Sequence, residues 1–426
     1  MTEHFAPDVL TPVFGATGPF AERRQRAAAA AAELDMPSAE TEEWRYSPIG
    51  DLDVDAYRPQ LHQAIGTAPA SPLDFDDAVA TIVIINGRVN EVSVDPGWSA
   101  KGLSVAVLDG ERREPTASDT KLDALHLAFA HQALRITVPD GLYVDGPIVV
   151  RNHHLGDGMA AFPHIVVTVG DSASVSIVEH QTSGDGPGLA IAWSEIEVGN
   201  ASIVEYAVVQ DLGDQLWQSQ RMMTTVGEQA TSRAAIAAFG GAYTRVRTDT
   251  DLIGRGAHGD LAAVYYADGD QTLDFRTFQH HRAPNTSSDL LFKGASDDTA
   301  SSIYTGLIHI HEEGAGSNAH QTNRNIKLSD NAWAWSVPNL EIENNDVRCS
   351  HASTVSPIDE DQLFYLHARG VKPGAADRLV VAGFFEEVMG RFRSEAVTAE
   401  VHRLIGEKLD ARDAEHTRAD AGASPA

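Results

Sequence analysis

Cysteine is nearly absent from this chain, with one residue, Cys349, in 426. A single thiol excludes an internal disulfide framework and agrees with a reducing compartment. Basic charge is also scarce: 32 Lys and Arg stand against 61 Asp and Glu for a net charge of −29, and no dense basic run could grip a phosphate backbone. Nucleic acid is therefore not expected as a partner. No apolar run suits a bilayer, because Ala27 to Ala32 is short and weakly apolar, and the opening MTEHFAPDVLTP lacks the basic and apolar regions of an export signal. The expectation is a cytoplasmic protein that does not engage the membrane. The G-x-x-x-x-G-K-[ST] phosphate loop, G-x-S-x-G, H-E-x-x-H and C-x-x-C are missing too, so the chain is not expected to hydrolyse nucleotides by itself.

What is present changes character twice along the chain. Residues 18 to about 35, GPFAERRQRAAAAAAELD, are strong helix formers ending before Pro37 and predict a helix. The EEWRYSPI stretch then sets Trp44 and Tyr46 in a polar context, which suits aromatics pinning an irregular segment to a neighbouring surface, with a ligand site as the alternative. From 80 to 355, short β-branched runs such as TIVIING, HIVVTVG, SVSIVEH and SIVEYAVV are bounded by Gly, Asp or Asn, as strands are. Val169-Gly170-Asp171, Val198-Gly199-Asn200, Val226-Gly227-Glu228 and Ile253-Gly254-Arg255 recur among them, with glycines 29, 28 and 27 residues apart. Such spacing predicts stacked rungs sharing one continuous core, a β-solenoid, with a β-sandwich or tandem cupin-like barrels as alternatives.

Ser356-Pro357-Ile358-Asp359 reads as a helix start, with Ser at the N-cap and Pro in the first turn, and that helix is expected to end at Arg369 before Gly370. Helices from Pro373 to about Arg391 and from Ser394 to about Asp410 follow, the last with Val397, Val401, Leu404 and Ile405 on one face. The expected division is an N-terminal helical region over 1–79, a β-helix core over 80–355, a C-terminal helical domain over 356–410 and a disordered tail over 411–426. The helical domain should shield the open sheet end. Its large apolar residues, among them Phe364, Tyr365, Phe384, Phe385, Val388 and Met389, suit either its own core or a docking surface.

Two stretches offer metal chemistry. In HIHEEGAGSNAH, His309 and His311 share one strand face, with His320 further on, so a cupin-like metal-dependent enzyme is one alternative. His153-His154 and His280-His281 are weaker, since adjacent strand residues point to opposite faces. In DVRCSHASTVSP, Cys349 and His351 lie on one face of an extended segment, roughly 7 Å apart. Thiolate and imidazole suit iron, zinc or a cluster, but a cluster takes about four ligands and the pair supplies only part of that set.

The block NRNIKLSDNAWAWSVPNLEIENNDVRCSHASTVSPIDEDQLFYLHARGV, residues 323 to 371, resembles the signature of the SufB/SufD family of iron–sulfur cluster assembly proteins. VPDGLYVDGPIVV and HHRAPNTSSDLLFKG are similar to further family segments, and EEWRYSPI to an N-terminal element common on the SufD side. The resemblance implies a right-handed parallel β-helix, mainly β, between N- and C-terminal helical regions. It implies a non-ATPase scaffold that pairs with SufB, binds the ATPase SufC, and holds an iron–sulfur cluster or iron only transiently. By the same resemblance His351 and Cys349 are the metal ligands, Val347, Arg348, Ala352 and Thr354 meet SufB through the 346–355 strand, and Phe364, Tyr365, Arg369, Phe384 and Phe385 meet SufC. The lone cysteine favours the SufD side, because SufB proteins carry a further sulfur-receiving cysteine. A SufB-like scaffold and a homodimeric family member are the alternatives, and isolated chains could pair through the same strand edge. Ala352 stands where the family usually has Gly, which puts the local strand geometry in question.

Overall fold

The computed structural model describes residues 3–15, 17–62, 66–73, 75–109, 116 and 120–422. From Ser174 onward the strands, ten or eleven residues long, pair in parallel with the strand one further on rather than with the next in sequence. Gly188–Val198 lies beside Leu216–Val226, and Ile203–Leu212 beside Thr231–Gly240. Successive strands thus alternate between an eleven-stranded and a ten-stranded sheet, giving a β-solenoid of about eight turns. This topology excludes the sandwich and cupin-like alternatives.

The glycine punctuation marks a corner of the coil. The Gly199, Gly227 and Gly254 amides donate to Val169, Val198 and Val226 carbonyls one coil below, at 2.8, 2.9 and 3.2 Å. Backbones approach so closely there that a Cβ on Gly199 would lie 2.6 Å from Gly170, and one on Gly254 2.0 Å from Glu228. The same corner continues with Arg282, His311 and Glu343 donating downward at 3.1, 3.1 and 2.9 Å. The motif fades after Gly254, but the coil does not.

Rows of side chains in register line the interior. One row runs through Ile177, Tyr206, Ala234, Leu261, Leu290 and Gln321 to His351. Its first five members belong to or pack on a core of buried aliphatic and aromatic side chains that runs along the stack.

Helix Pro19–Glu33 packs its alanines against helix Lys121–Phe129 and, with Phe162 and Trp193, covers the outer face of the eleven-stranded sheet. Lys121–Phe129 interrupts a region read as β throughout, and a Thr120/Asp123 capping box opens it. On the same face the EEWRYSPI segment is pinned rather than built into a pocket. The Arg245 guanidinium sits 3.7 Å from the Trp44 ring centre, Tyr46 stacks on Trp335 at 5.0 Å, and the Arg45 carbonyl accepts from Arg276 at 2.9 Å.

The C-terminal helices differ from three expectations. Ser356 and Pro357 finish the last strand, Arg348–Pro357, and Asp359 caps helix Glu360–Ala368 by accepting from the Asp361 and Gln362 amides. Helices Pro373–Met389 and Glu395–Gly422 do not shield the open end. Phe385, Val388, Val397, Val401 and Leu404 pack on Val209, Val264, Leu291 and Ile326, so the helices lie along the outer face of the ten-stranded sheet. The last helix continues beyond Asp410 through residues expected to be disordered, held by Arg412 ion pairs to Asp297 and Asp377 at 2.6 and 3.2 Å. Residues 423–426 lie outside the described residues. No helix among the described residues is long and apolar enough to cross a membrane.

Candidate functional site at the open end of the solenoid

The alternation that makes strands also decides what the last coil exposes. Arg348–Pro357 bonds on one side to Asn318–Lys327 and, among the described residues, has no strand on the other; Trp333–Ile342 ends the second sheet in the same way. Only Cys349 and Ser356 on the terminal strand are as much as half-buried. Its inward face carries Cys349, His351 and Ser353, in register with Ala319, Gln321 and Asn323 beneath. Side chains that would be interior on any other coil therefore meet solvent here.

Cys349 packs with Val347 and Leu340 over Ile308, Ile310 and Ala319. Burial pushes its thiol pKa up, while a hydrogen bond with the Ala319 backbone acts in the opposite sense. It is a protonated thiol at neutral pH and must lose that proton to bind a metal. His351 is exposed. Beneath it, Gln321 is buried, yet neither its amide oxygen nor its nitrogen has a hydrogen-bond partner, and the Ser336 hydroxyl is buried and unpartnered likewise. Buried polar groups are normally satisfied, and these two side chains find no partner within the described residues. Thiol, imidazole and orphaned amide form a donor set that fits a soft or borderline metal species as cargo. Gln321 and Ser336 escape sequence reading because alternation tells which face a residue takes, not whether its amide finds a partner.

Arg348, Ala352 and Thr354 are exposed on the terminal strand. Ala352 has no positive φ and sits in an unbroken ladder, so alanine fits without backbone strain. Phe364 and Tyr365 are 74% and 58% exposed on a helix with no buried residue, with the Arg369 guanidinium 5.1 Å from the Tyr365 ring centre. Phe384 is half-buried with the Lys293 ammonium 4.7 Å from its ring centre, whereas Phe385 is fully buried against the solenoid. Phe385 therefore holds the helix in place and offers no surface of its own.

The expected histidine group is regrouped by the fold. His309 and His311 do share the outer face of the eleven-stranded sheet, rings stacked at 3.8 Å. Their third companion is not His320, which bonds the Ser350 hydroxyl on the other sheet at 2.6 Å, but His280, the ladder partner of His309. His311 Nε2 lies 3.4 Å from His280 Nδ1, and His309 Nε2 3.0 Å from a Glu343 carboxylate oxygen. Burial, with smaller contributions from Arg282 and the neighbouring imidazoles, holds His280 and His311 below the ordinary imidazole value. His281 points inward to Thr286 and Ser288. The coil repeat was a usable signal, since the step from Gly170 to Gly199 equals that from His280 to His309.

Residues 151–384, which include Cys349 and His351, match the SufBD core domain of the SUF system for FeS cluster assembly. The chain is 30% identical over 387 residues to an iron-sulfur cluster assembly SufBD family protein of Mycobacterium tuberculosis, covering 88% of this chain and 90% of that one. A SufBD family protein of Mycobacterium leprae is 27% identical over 385 residues, 87% and 91% of the two chains. The iron-sulfur cluster assembly protein SufD of Bacillus subtilis is 30% identical over 298 residues, 68% and 67%. A matched core that spans over half the chain, on a two-sheet solenoid ending in a Cys-x-His strand, makes this protein a member of the SufBD family of iron–sulfur cluster assembly proteins.

Proposed function

We propose that this chain is the SufD-like scaffold of a complex with SufB-like and SufC-like partners, and that the nascent iron–sulfur cluster is the cargo of that complex. The observation that carries the reading is the uncovered last coil, with inward-facing Cys349 and His351 over an unpartnered Gln321. A strand of a second solenoid laid against Arg348–Pro357 would take up its free backbone groups and bury that row. Cys349 and His351 are two ligands where a cluster takes about four, so the remainder come from the partner. The single cysteine supports the SufD-like over the SufB-like assignment, since no second thiol is on hand to receive sulfur. Without its partner, the same edge accepts a second copy of this chain.

In this reading the chain is not itself an enzyme. The missing phosphate loop leaves ATP hydrolysis to the SufC-like subunit, and the exposed Phe364 and Tyr365 are the apolar anchors for it. The test is co-expression of wild type and His351→Ala with both partners, followed by iron and sulfide counts per purified complex. The expected result is an intact complex with little or no cluster. Unchanged iron and sulfide would reduce the strand to an assembly interface.

A further inference from the structure

The solenoid ladder forces one more constellation, on a different sheet and face from the terminal strand. His280 and His309 occupy the same outward row one coil apart, and His311 follows at the corner, where its amide donates to the His281 carbonyl at 3.1 Å. The parallel ladder fixes the His280 and His309 backbones and the corner bond that of His311, as a preorganised metal site requires. The three imidazoles are half-buried, and their donor nitrogens all lie within 4.8 Å of one another.

We propose that His280, His309 and His311, with Glu343, bind one divalent first-row transition-metal ion. Nitrogen donors in such sites stand about 2.0–2.1 Å from the ion, so ring rotations alone can converge the three. The Glu343 carboxylate already touches His309, as a fourth ligand or an orienting partner would, and a Glu341 oxygen lies 3.8 Å from His309 Nδ1. Neutral imidazoles with a carboxylate suit zinc, cobalt, nickel or ferrous ion, and the absence of a thiol argues against a preference for cuprous ion. Arg282, the nearby cation, is engaged by Asp251 at 2.5 Å, and Glu312 and Glu313 add negative charge in the following turn. The inference is independent of the role given to Cys349 and His351, whose side chains sit on the inward face of the other sheet.

The test is a Co²⁺ titration of the purified full chain, without oxygen and at neutral pH, followed by the visible bands of imidazole-bound cobalt and competed with Zn²⁺. Wild type and the Cys349→Ser/His351→Ala double variant should both saturate at one ion per chain. His280→Ala and His309→Ala should bind about tenfold more weakly or worse, and Glu343→Gln, a change on an exposed side chain that leaves the fold intact, should weaken binding measurably. Zn²⁺ should abolish the bands and raise the melting temperature of wild type but not of His309→Ala. Wild-type binding in both His309→Ala and Glu343→Gln, loss of the bands only in the Cys349/His351 variant, or no saturable uptake would each overturn the proposal.

Discussion

Asp274 illustrates what single residues contribute. It is fully buried, and its carboxylate meets Arg245 at 2.8 Å, Arg276 at 2.8 Å and the Tyr243 hydroxyl at 2.7 Å. Burial and the adjacent carboxylate push the Tyr243 pKa far above its usual value, so this hydroxyl stays a donor. Through Arg276 to the Arg45 carbonyl and Tyr243 to Ser47, the cluster anchors the N-terminal segment. Asp274→Asn preserves shape but leaves two buried guanidiniums facing a neutral amide, and should cost about 3–5 kcal/mol. Urea unfolding measures that cost, and proteolysis should cut near residues 43–47 sooner; an unchanged midpoint would mean the charges are compensated elsewhere. Sequence reading found the pinning role of Trp44 but not the anion beneath it. Pattern alone assigns Arg245 and Asp274 to an outer face and says nothing of a segment two hundred residues away that covers them.

At the level of elements, strands and corners were legible because the pleat and the close approach of coils each leave a direct trace in residue type. The short helix Lys121–Phe129 was not, although Thr120 and Asp123 form its cap. The C-terminal helices were legible as helices and misjudged in position, because an apolar face such as Val397, Val401 and Leu404 does not name the surface it packs on. Phe385 and Phe364 should separate packing on the solenoid from the proposed docking. Phe385→Ala removes a buried ring and should cost about 3–5 kcal/mol, read as a lowered melting temperature with early cleavage between the solenoid and the last helix. Phe364→Asp, at a 74% exposed position, should change stability by less than about 0.5 kcal/mol yet weaken co-purification of the SufC-like ATPase. Full retention of the ATPase by that variant would remove Phe364 from the docking surface.

For the molecule as a whole, histidines buried along the stack should make the fold sensitive to acid. Burial pushes His154, His180 and His281 down to about 4 each from 6.5. Above 6.5 they are neutral in both states and contribute nothing to the pH dependence. As pH falls from 6.5 towards 4, the unfolded chain takes up protons that the folded chain refuses, so stability drops by up to about 1.4 kcal/mol per unit per histidine. Melting temperature should therefore fall steeply between neutral pH and 5, and the slope should shrink in His281→Gln; a flat profile would mean these rings are hydrated. The candidate site was legible at the same scale only in part: the Cys349–His351 pair stood out through a rare cysteine and a family signature, while the exposure of the end coil depended on where the helices went.

Because the strands of each coil pair with those of the coil before it, the stack can grow in the order in which the ribosome delivers it, each finished turn serving as the template for the next. Cys349 and His351 arrive on the last turn laid down. A chain stalled one coil short would still present a parallel edge, but one without Cys349 or His351. Under the scaffold proposal, such a truncated copy would compete for the partner rather than act as a weaker substitute.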